Sequence, residues 1–300
     1  MTRRGWILFV AMSVIWGVPY LLIKVAVEDL SPTTLVAART SLAFVVLAPI
    51  AVSQGALKPV LRYWRPLVAF SAIEMAGPWL LLTDAEQKLP SGLTGLLVAT
   101  VPLVGALLAF LLGDRSVLRP VRLLGLTVGI AGVALLVGLG GDEGSVDAFS
   151  VVEVLLVAVG YATAPFIASH KLSSVPSMGV ITASIGLVAL VYLPAGIAQA
   201  PNEWPSADVA WSVVGLAVVC TALAFVVFFA LIGEVGPTRA TLITFANPAV
   251  AVVLGVVVLG EAITPGLVVG FPLVLAGCWL ASQHEEVDEP LEAEALAARG

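Results

Sequence analysis

One carboxylate stands alone in the apolar stretch LVAFSAIEMAGPWLLL, residues 67–82. A charge at the centre of a membrane helix costs about 2.5–3.5 kcal/mol on insertion scales, so such a group is seldom there without a use. Phe70, Ser71, Glu74, Gly77, Pro78 and Leu81 recur at three- and four-residue spacing and share one helical face. That face is small and polar, and it is expected to turn into a bundle of helices. A carboxyl there either stays neutral and hydrogen-bonded, or takes and releases protons as a cavity opens to each side. Glu74 is therefore the candidate for proton coupling or for binding an amine.

Other polar and kinked positions extend the candidate site. Pro102 and Pro248 fall near the middle of apolar runs. A helix-interior proline frees the carbonyl four residues back, here Val98 and Thr244. Freed backbone groups at membrane depth are tolerated where they line a wet cavity or are buried in protein. Thr100 and Asn247 stand beside these kinks. Ser13, Trp16, Gly17, Tyr20 and Lys24 form a second stripe, whose rings with polar tips suit a solute that is partly apolar. Trp79, Tyr161, Phe225 and Phe228 are expected to complete an aromatic wall. The candidate substrate contacts are thus Trp16, Tyr20, Glu74, Trp79, Thr100, Tyr161, Phe228 and Asn247. Lys24 is expected to snorkel or to pair with Glu28. Arg39 is expected to snorkel or to pair with Glu153, a solute carboxylate being the alternative. No histidine or cysteine cluster suggests a metal, and no cofactor motif is present. Cys220 and Cys278 lie in apolar runs and read as packing residues.

These side chains need elements to hold them, and composition says which. Of 300 residues, 60% are hydrophobic and 11% charged; the mean hydropathy is +1.07. Soluble domains carry about 25% charge, so the solvent here is a lipid bilayer. A helix needs about 20 apolar residues to cross it. Ten spans meet that need: 6–26, 33–53, 66–83, 91–112, 120–140, 151–169, 176–198, 208–232, 238–260 and 264–282. The basic start and first apolar run resemble a signal peptide, but no small-residue cleavage site closes the run, so it reads as a retained helix. Residues 283–300 are acidic and read as a disordered cytoplasmic tail.

Orientation follows from the basic residues. With the N-terminus in the cytoplasm, the inner flanks carry Arg3, Arg4, Lys58, Arg62, Arg65, Arg115, Arg119, Arg122, Lys171 and Arg239, and the outer side only Lys88. Both termini are expected inside. The outer loops are acidic, with Glu28, Asp29, Asp84, Glu86, Asp142, Glu143, Asp147, Glu203 and Asp208.

The chain also repeats itself. In RPVRLLGLTVGIAG (119–132) and TPGLVVGFPLVLAG (264–277), Pro120, Gly125 and Gly132 precede Pro265, Gly270 and Gly277 by 145 residues each. Pro102 answers Pro248, and Gly113–Asp114 answers Gly260–Glu261, with one residue inserted. Two five-helix repeats, 6–140 and 151–282, follow. Five is odd, so the second copy enters the membrane upside down. Inverted repeats with a site at the midplane are the architecture of secondary transporters. The glycine pairs Gly125–Gly129 and Gly266–Gly270 are expected to pack the last helices of the two repeats together.

With WGVPYLLIKVA (16–26), Pro32 and Arg39 in SPTTLVAARTSLA, and the two P…LG[DE] helices each followed by P…G…G, the chain resembles the EamA family of the drug/metabolite transporter superfamily. Asp114 departs from the glutamate usual there. The resemblance implies ten helices, both termini cytoplasmic, and export of small metabolites or drugs without nucleotide hydrolysis. It agrees with the absence of GxxxxGK[ST]. The expectation is an all-α, multi-pass protein of a bacterial inner membrane that moves a small amphiphilic solute. A nucleotide-sugar or organophosphate carrier and an intramembrane enzyme are the alternatives. Its partners would be the solute and the bilayer; a basic, aromatic nucleic-acid footprint is lacking. Two repeats make a monomer sufficient, a homodimer remaining open.

Overall fold

The computed structural model describes residues 1–139 and 146–282. Along the chain run α1 (Arg3–Ala26), α2 (Pro32–Ser53), α3 (Trp64–Ala85), α4 (Ser91–Leu111), α5 (Pro120–Gly138), α6 (Ala148–Lys171), α7 (Ser177–Ala198), α8 (Ala207–Val235), α9 (Ile243–Leu259) and α10 (Pro265–Ser282). Among the described residues nine of these, all but α9, are long and apolar enough to cross a membrane, and no strand occurs. The expected tail, 283–300, lies outside the described residues, as do Asp142 and Glu143.

The short helix corrects the expected span 238–260. Gly236 takes a φ of +80°, a single turn Pro237–Ala240 follows, and the chain bends at Thr241 and Leu242 before α9 begins. Bonds from Thr244 N–H to the Thr241 carbonyl (3.0 Å) and from Phe245 N–H to that of Leu242 (3.1 Å) close tight turns in place of a continuous helix.

The other starts follow from their caps. Thr2 accepts from Gly5 N–H, Ser31 from Thr34, Asp147 from Ser150 and Ser206 from Val209. Each supplies an oxygen to a backbone donor that the first turn leaves unpaired. Pro32 fixes the backbone at the first position of α2.

Helices α5 and α10 meet along glycines, as the spacing predicts. A Cβ on Gly125 would lie 2.8 Å from the Gly277 carbonyl oxygen. One on Gly132 would lie 2.7 Å from the Val274 nitrogen, and one on Gly270 2.8 Å from the Gly132 carbonyl. The two backbones are in contact, with no room for a methyl group between them.

The remaining pairings form a pattern. Helix α2 packs on α7, α1 on α9 and α8, and α6 on α4 and α3. Exchanging α1–α5 for α6–α10 turns each pairing into another member of the set. Both α3 and α8 contain a π-helical stretch, Ala72–Ala76 and Gly215–Leu223. Ala72 and Ala76 stand 145 residues before Ala217 and Thr221, inside the second stretch. π-Bulges of this kind occur often at functional sites.

Candidate functional site

Arg39, on α2, is only 7% exposed. Its guanidinium carbon lies 4.1 Å from the centre of the Trp79 ring on α3. Its Nε donates to Thr221 Oγ1 on α8 at 3.0 Å. Thr221 in turn donates to the carbonyl of Leu216, five residues back, at 2.7 Å. The π register of α8 aligns that carbonyl with the hydroxyl and leaves the oxygen a lone pair for Arg39. Among the described residues no carboxylate oxygen lies within 4.0 Å of this guanidinium. The expected partner, Glu153, instead faces Asp84 and Lys88. That part of the expectation is corrected: Glu153 belongs to the end of α6, and Arg39 is drawn across to α8.

Around Arg39 buried and half-buried polar side chains form a circuit of electrostatic neighbours. Its electrostatic neighbours include Tyr161 on α6 and Glu86 at the end of α3. Tyr161 interacts with Glu74, Arg39 and Trp79. Tyr20 on α1 interacts with Tyr161 and with Glu86. Polar groups carried by α1, α2, α3 and α6, and Glu86 just beyond α3, thus lie within electrostatic reach of one another, with Thr221 of α8 bonded to Arg39. Tyr161 also packs against two separate apolar clusters, one built around α1 and α4 and one around α2 and α7. The circuit therefore lies where the two cores meet.

Two carboxyls here have unmade hydrogen bonds. Glu86 is fully buried, and neither of its oxygens has a partner; the same holds for Oε2 of Glu74. Leaving a buried polar group unsatisfied costs about 1–3 kcal/mol, and such orphans mark places where stability is not the only demand. Glu86 stands one residue beyond α3. Burial pushes its carboxyl well above the usual carboxylate range, against the opposing pull of Lys24.

Lys24 does not pair with Glu28. Its Nζ donates to the carbonyls of Glu86 (2.7 Å) and Leu89 (2.9 Å). A cation suits that position, since the last carbonyls of a helix carry partial negative charge. Nearby, the left-handed Gly260 (φ +68°) folds Glu261 back over the end of α9. The Glu261 carboxylate accepts from the N–H groups of Ser91 (2.6 Å) and Gly92 (3.0 Å), tying the end of α9 to the start of α4.

The predicted residues fall into separate groups. Tyr20, Trp79 and Tyr161 join the circuit, and Glu74 stands beside Tyr161. Trp16 and Phe228 meet elsewhere: their ring centroids are 4.8 Å apart, and Phe225 lies 6.1 Å from Trp16, between α1 and α8. Phe225 also packs against the apolar cluster that holds Trp79, as Tyr161 does, and so stands between the two sets of rings. Thr100 is buried and donates to the Leu97 carbonyl of its own helix at 2.6 Å. Asn247, with its amide nitrogen turned toward them, donates to the carbonyls of Ile243 (2.9 Å) and Ser13 (3.1 Å), fastening α9 to α1.

Pro248 lies inside α9 as expected. Pro102 does not kink a continuous helix: α4 breaks at Ala99–Thr100, and Pro102 sits in the first turn of its second piece. There Leu103 N–H bonds Thr100 rather than Ala99, and the Ala99 carbonyl accepts from Cys278 Sγ at 3.1 Å. The shared face drawn through Glu74 also changes. The π turn shifts the register, so Gly77, Pro78 and Leu81 line an apolar groove with Leu156, Val159 and Gly160 of α6.

Sequence reasoning missed Glu86 and Thr221. Glu86 follows Trp79 and Thr83 at helical spacing, a signal that it shares their buried face rather than the outer loop. Thr221 carries no such signal, because a π register cannot be seen in a 3.6-residue pattern.

A polytopic helical bundle with buried, unpaired polar groups where its cores meet belongs among membrane transport proteins, and the comparison with known families agrees. The chain belongs to the EamA-like transporter family, whose model matches it twice, over residues 3–138 and 148–283. It is similar to the uncharacterized inner membrane transporter YedA of Escherichia coli (strain K12), at 27% identity over 259 residues, which cover 85% of this chain and 82% of that protein. It is also similar to the uncharacterized transporter YvbV of Bacillus subtilis (strain 168), at 23% identity over 290 residues, 95% of this chain and 94% of the other. A protein of known crystal structure shares the fold over 99% of both chains, with a TM-score of 0.64 and 21% identity.

Proposed function

We propose that the chain is a secondary active transporter of the bacterial inner membrane that exports a small amphiphilic metabolite, an amino acid or a related compound, by alternating access. It is not an enzyme on this reading. The circuit of Arg39, Tyr161, Tyr20 and Glu86 carries it, because polar groups left open between helices suit a solute that comes and goes. Ten membrane segments form two inverted five-helix repeats with both termini cytoplasmic. The doubled family match, the exchangeable helix pairings and the matching π stretches support the repeats; the basic residues support the orientation; the names of YedA and YvbV support transport. Glu261 ties the end of α9 to the start of α4.

Glu74 is the proton-coupling carboxyl on this reading, and Tyr20, Trp79 and Tyr161 contact the solute. The test is counterflow of labelled solute in proteoliposomes over a range of pH. Glu74→Gln is expected to leave the protein folded and to flatten the pH dependence of flux. A pH profile unchanged from wild type removes the coupling role. Topology tags that put residues 88 and 239 on one side of the membrane would sink the inverted repeats.

A further inference from the structure

We infer that Arg39 is the anion subsite of this transporter and that it receives a carboxylate carried by the solute. The inference rests on the transport reading above and adds to it the chemical class of the cargo. An arginine inside a membrane protein ordinarily meets an acidic side chain or backbone carbonyls. Arg39 is more than nine-tenths buried and meets neither among the described residues. Its two contacts hold it without neutralising it. Trp79 supports one face of the guanidinium plane, and Thr221 engages Nε.

That leaves the edge formed by the two terminal nitrogens, which make no hydrogen bond among the described residues. Their paired N–H groups match a carboxylate in a two-pronged hydrogen bond. The plane and the Nε direction are already set, so little side-chain freedom is lost on binding.

The surroundings favour a carboxylate over a phosphate. A phosphate group carries more charge and is usually met by several cations. Here Lys24 is committed to the Glu86 and Leu89 carbonyls. Glu74 and Glu86 flank the circuit and supply no cation for further negative charge. They would tolerate a solute that also bears an ammonium group. Thr221 is a positioning residue: it aims the guanidinium and has no contact with the solute.

The test uses the full chain in nanodiscs. Thermal stabilisation is measured with each of the twenty proteinogenic amino acids, 3-phenylpropionate and inorganic phosphate, then with the carboxamide of whichever acid responds. A carboxylate is expected to stabilise the protein and its carboxamide to fail. Arg39→Gln should weaken the response at least tenfold. Thr221→Val should weaken it severalfold with no loss of monodisperse protein. If Arg39→Gln does not fold, the wild type still decides: the responding carboxylate should protect Arg39 from phenylglyoxal, read by mass spectrometry of its peptide.

Equal binding of acid and amide, phosphate as the sole anion bound, no response across the panel, or modification of Arg39 undiminished by ligand would each overturn the assignment. Counterflow separates this from the broader reading. A wild type that exchanges some other solute but ignores carboxylates refutes the subsite and keeps the transporter; carboxylate binding without exchange does the reverse.

Discussion

The α5–α10 seam and the polar circuit around Arg39 are built on opposite rules. Along the seam, backbone lies against backbone at Gly125, Gly132 and Gly277. In the circuit, two carboxyls have unpartnered oxygens, and among the described residues the buried guanidinium has no carboxylate oxygen within 4.0 Å. In lipid, helices gain little from burying apolar groups and associate through close packing. The seam takes that gain in full. The circuit forgoes part of it, which suits a region that must release what it binds.

The largest effect should come from breaking the seam. A Cβ on Gly277 would land on the backbone of Gly129. Neither helix can move aside by rotating a side chain, so Gly277→Val is expected to cost about 3 kcal/mol or more, the upper end of overpacking penalties. The measurement is the yield of monodisperse protein and its melting temperature in detergent. A Gly277→Val protein that melts with wild type would show that the seam is looser than its geometry.

The circuit should respond with the opposite sign. Removing the unsatisfied oxygens of Glu86 by Glu86→Met is expected to stabilise the fold by about 1–3 kcal/mol at neutral pH while impairing transport. The pH dependence gives the sign independently. The folded carboxyl sits well above its ordinary value of 4.5. The native state therefore keeps a proton that the unfolded chain has released, and stability falls as pH rises above that value. Glu86→Met should lose this slope, and its advantage should shrink as pH drops toward about 4. A variant with the slope of wild type would remove Glu86 as the source.

The same contrast explains what could be read from the amino-acid order. Seam glycines announce themselves, because close backbone approach demands glycine at helical spacing and nothing else substitutes. Helix starts at Ser31, Asp147 and Ser206 are legible for a similar reason, as a side-chain oxygen must stand at the cap. The circuit is legible only in part. Tyr20, Trp79 and Tyr161 are visible as polar-tipped rings in apolar runs, but their convergence depends on helix rotation. Two π stretches alter that rotation, moving Thr221 toward Arg39 and breaking the face assigned to Glu74. Asn247 and Thr100 bond backbone carbonyls, which a polar residue in an apolar run does not reveal, because a buried amide or hydroxyl can be satisfied by backbone as readily as by a solute. Glu86 misleads because a carboxylate at a helix end looks solvated until the loops covering it are placed.

The smallest effect belongs at a site that resembles neither region. Asp147 caps α6 at a half-exposed helix end, accepting from the backbone N–H (2.9 Å) and hydroxyl (2.7 Å) of Ser150, with Lys88 at 3.5 Å. The Ser150 hydrogen bonds, and secondarily Lys88, hold its carboxyl below the ordinary 3.8. A depressed carboxylate stabilises the folded state above its unfolded value, and that contribution disappears as pH falls through the folded one. Asp147→Asn retains a capping oxygen but has nothing to titrate. Its melting temperature should fall slightly below wild type from about pH 6 to 8, and the gap should close below about 4 as the wild-type carboxylate protonates. Hydrogen exchange in the first turn of α6 locates the change. A gap that persists unchanged below about pH 4 would mean that the geometry of the cap, and not its charge, holds this end of the helix.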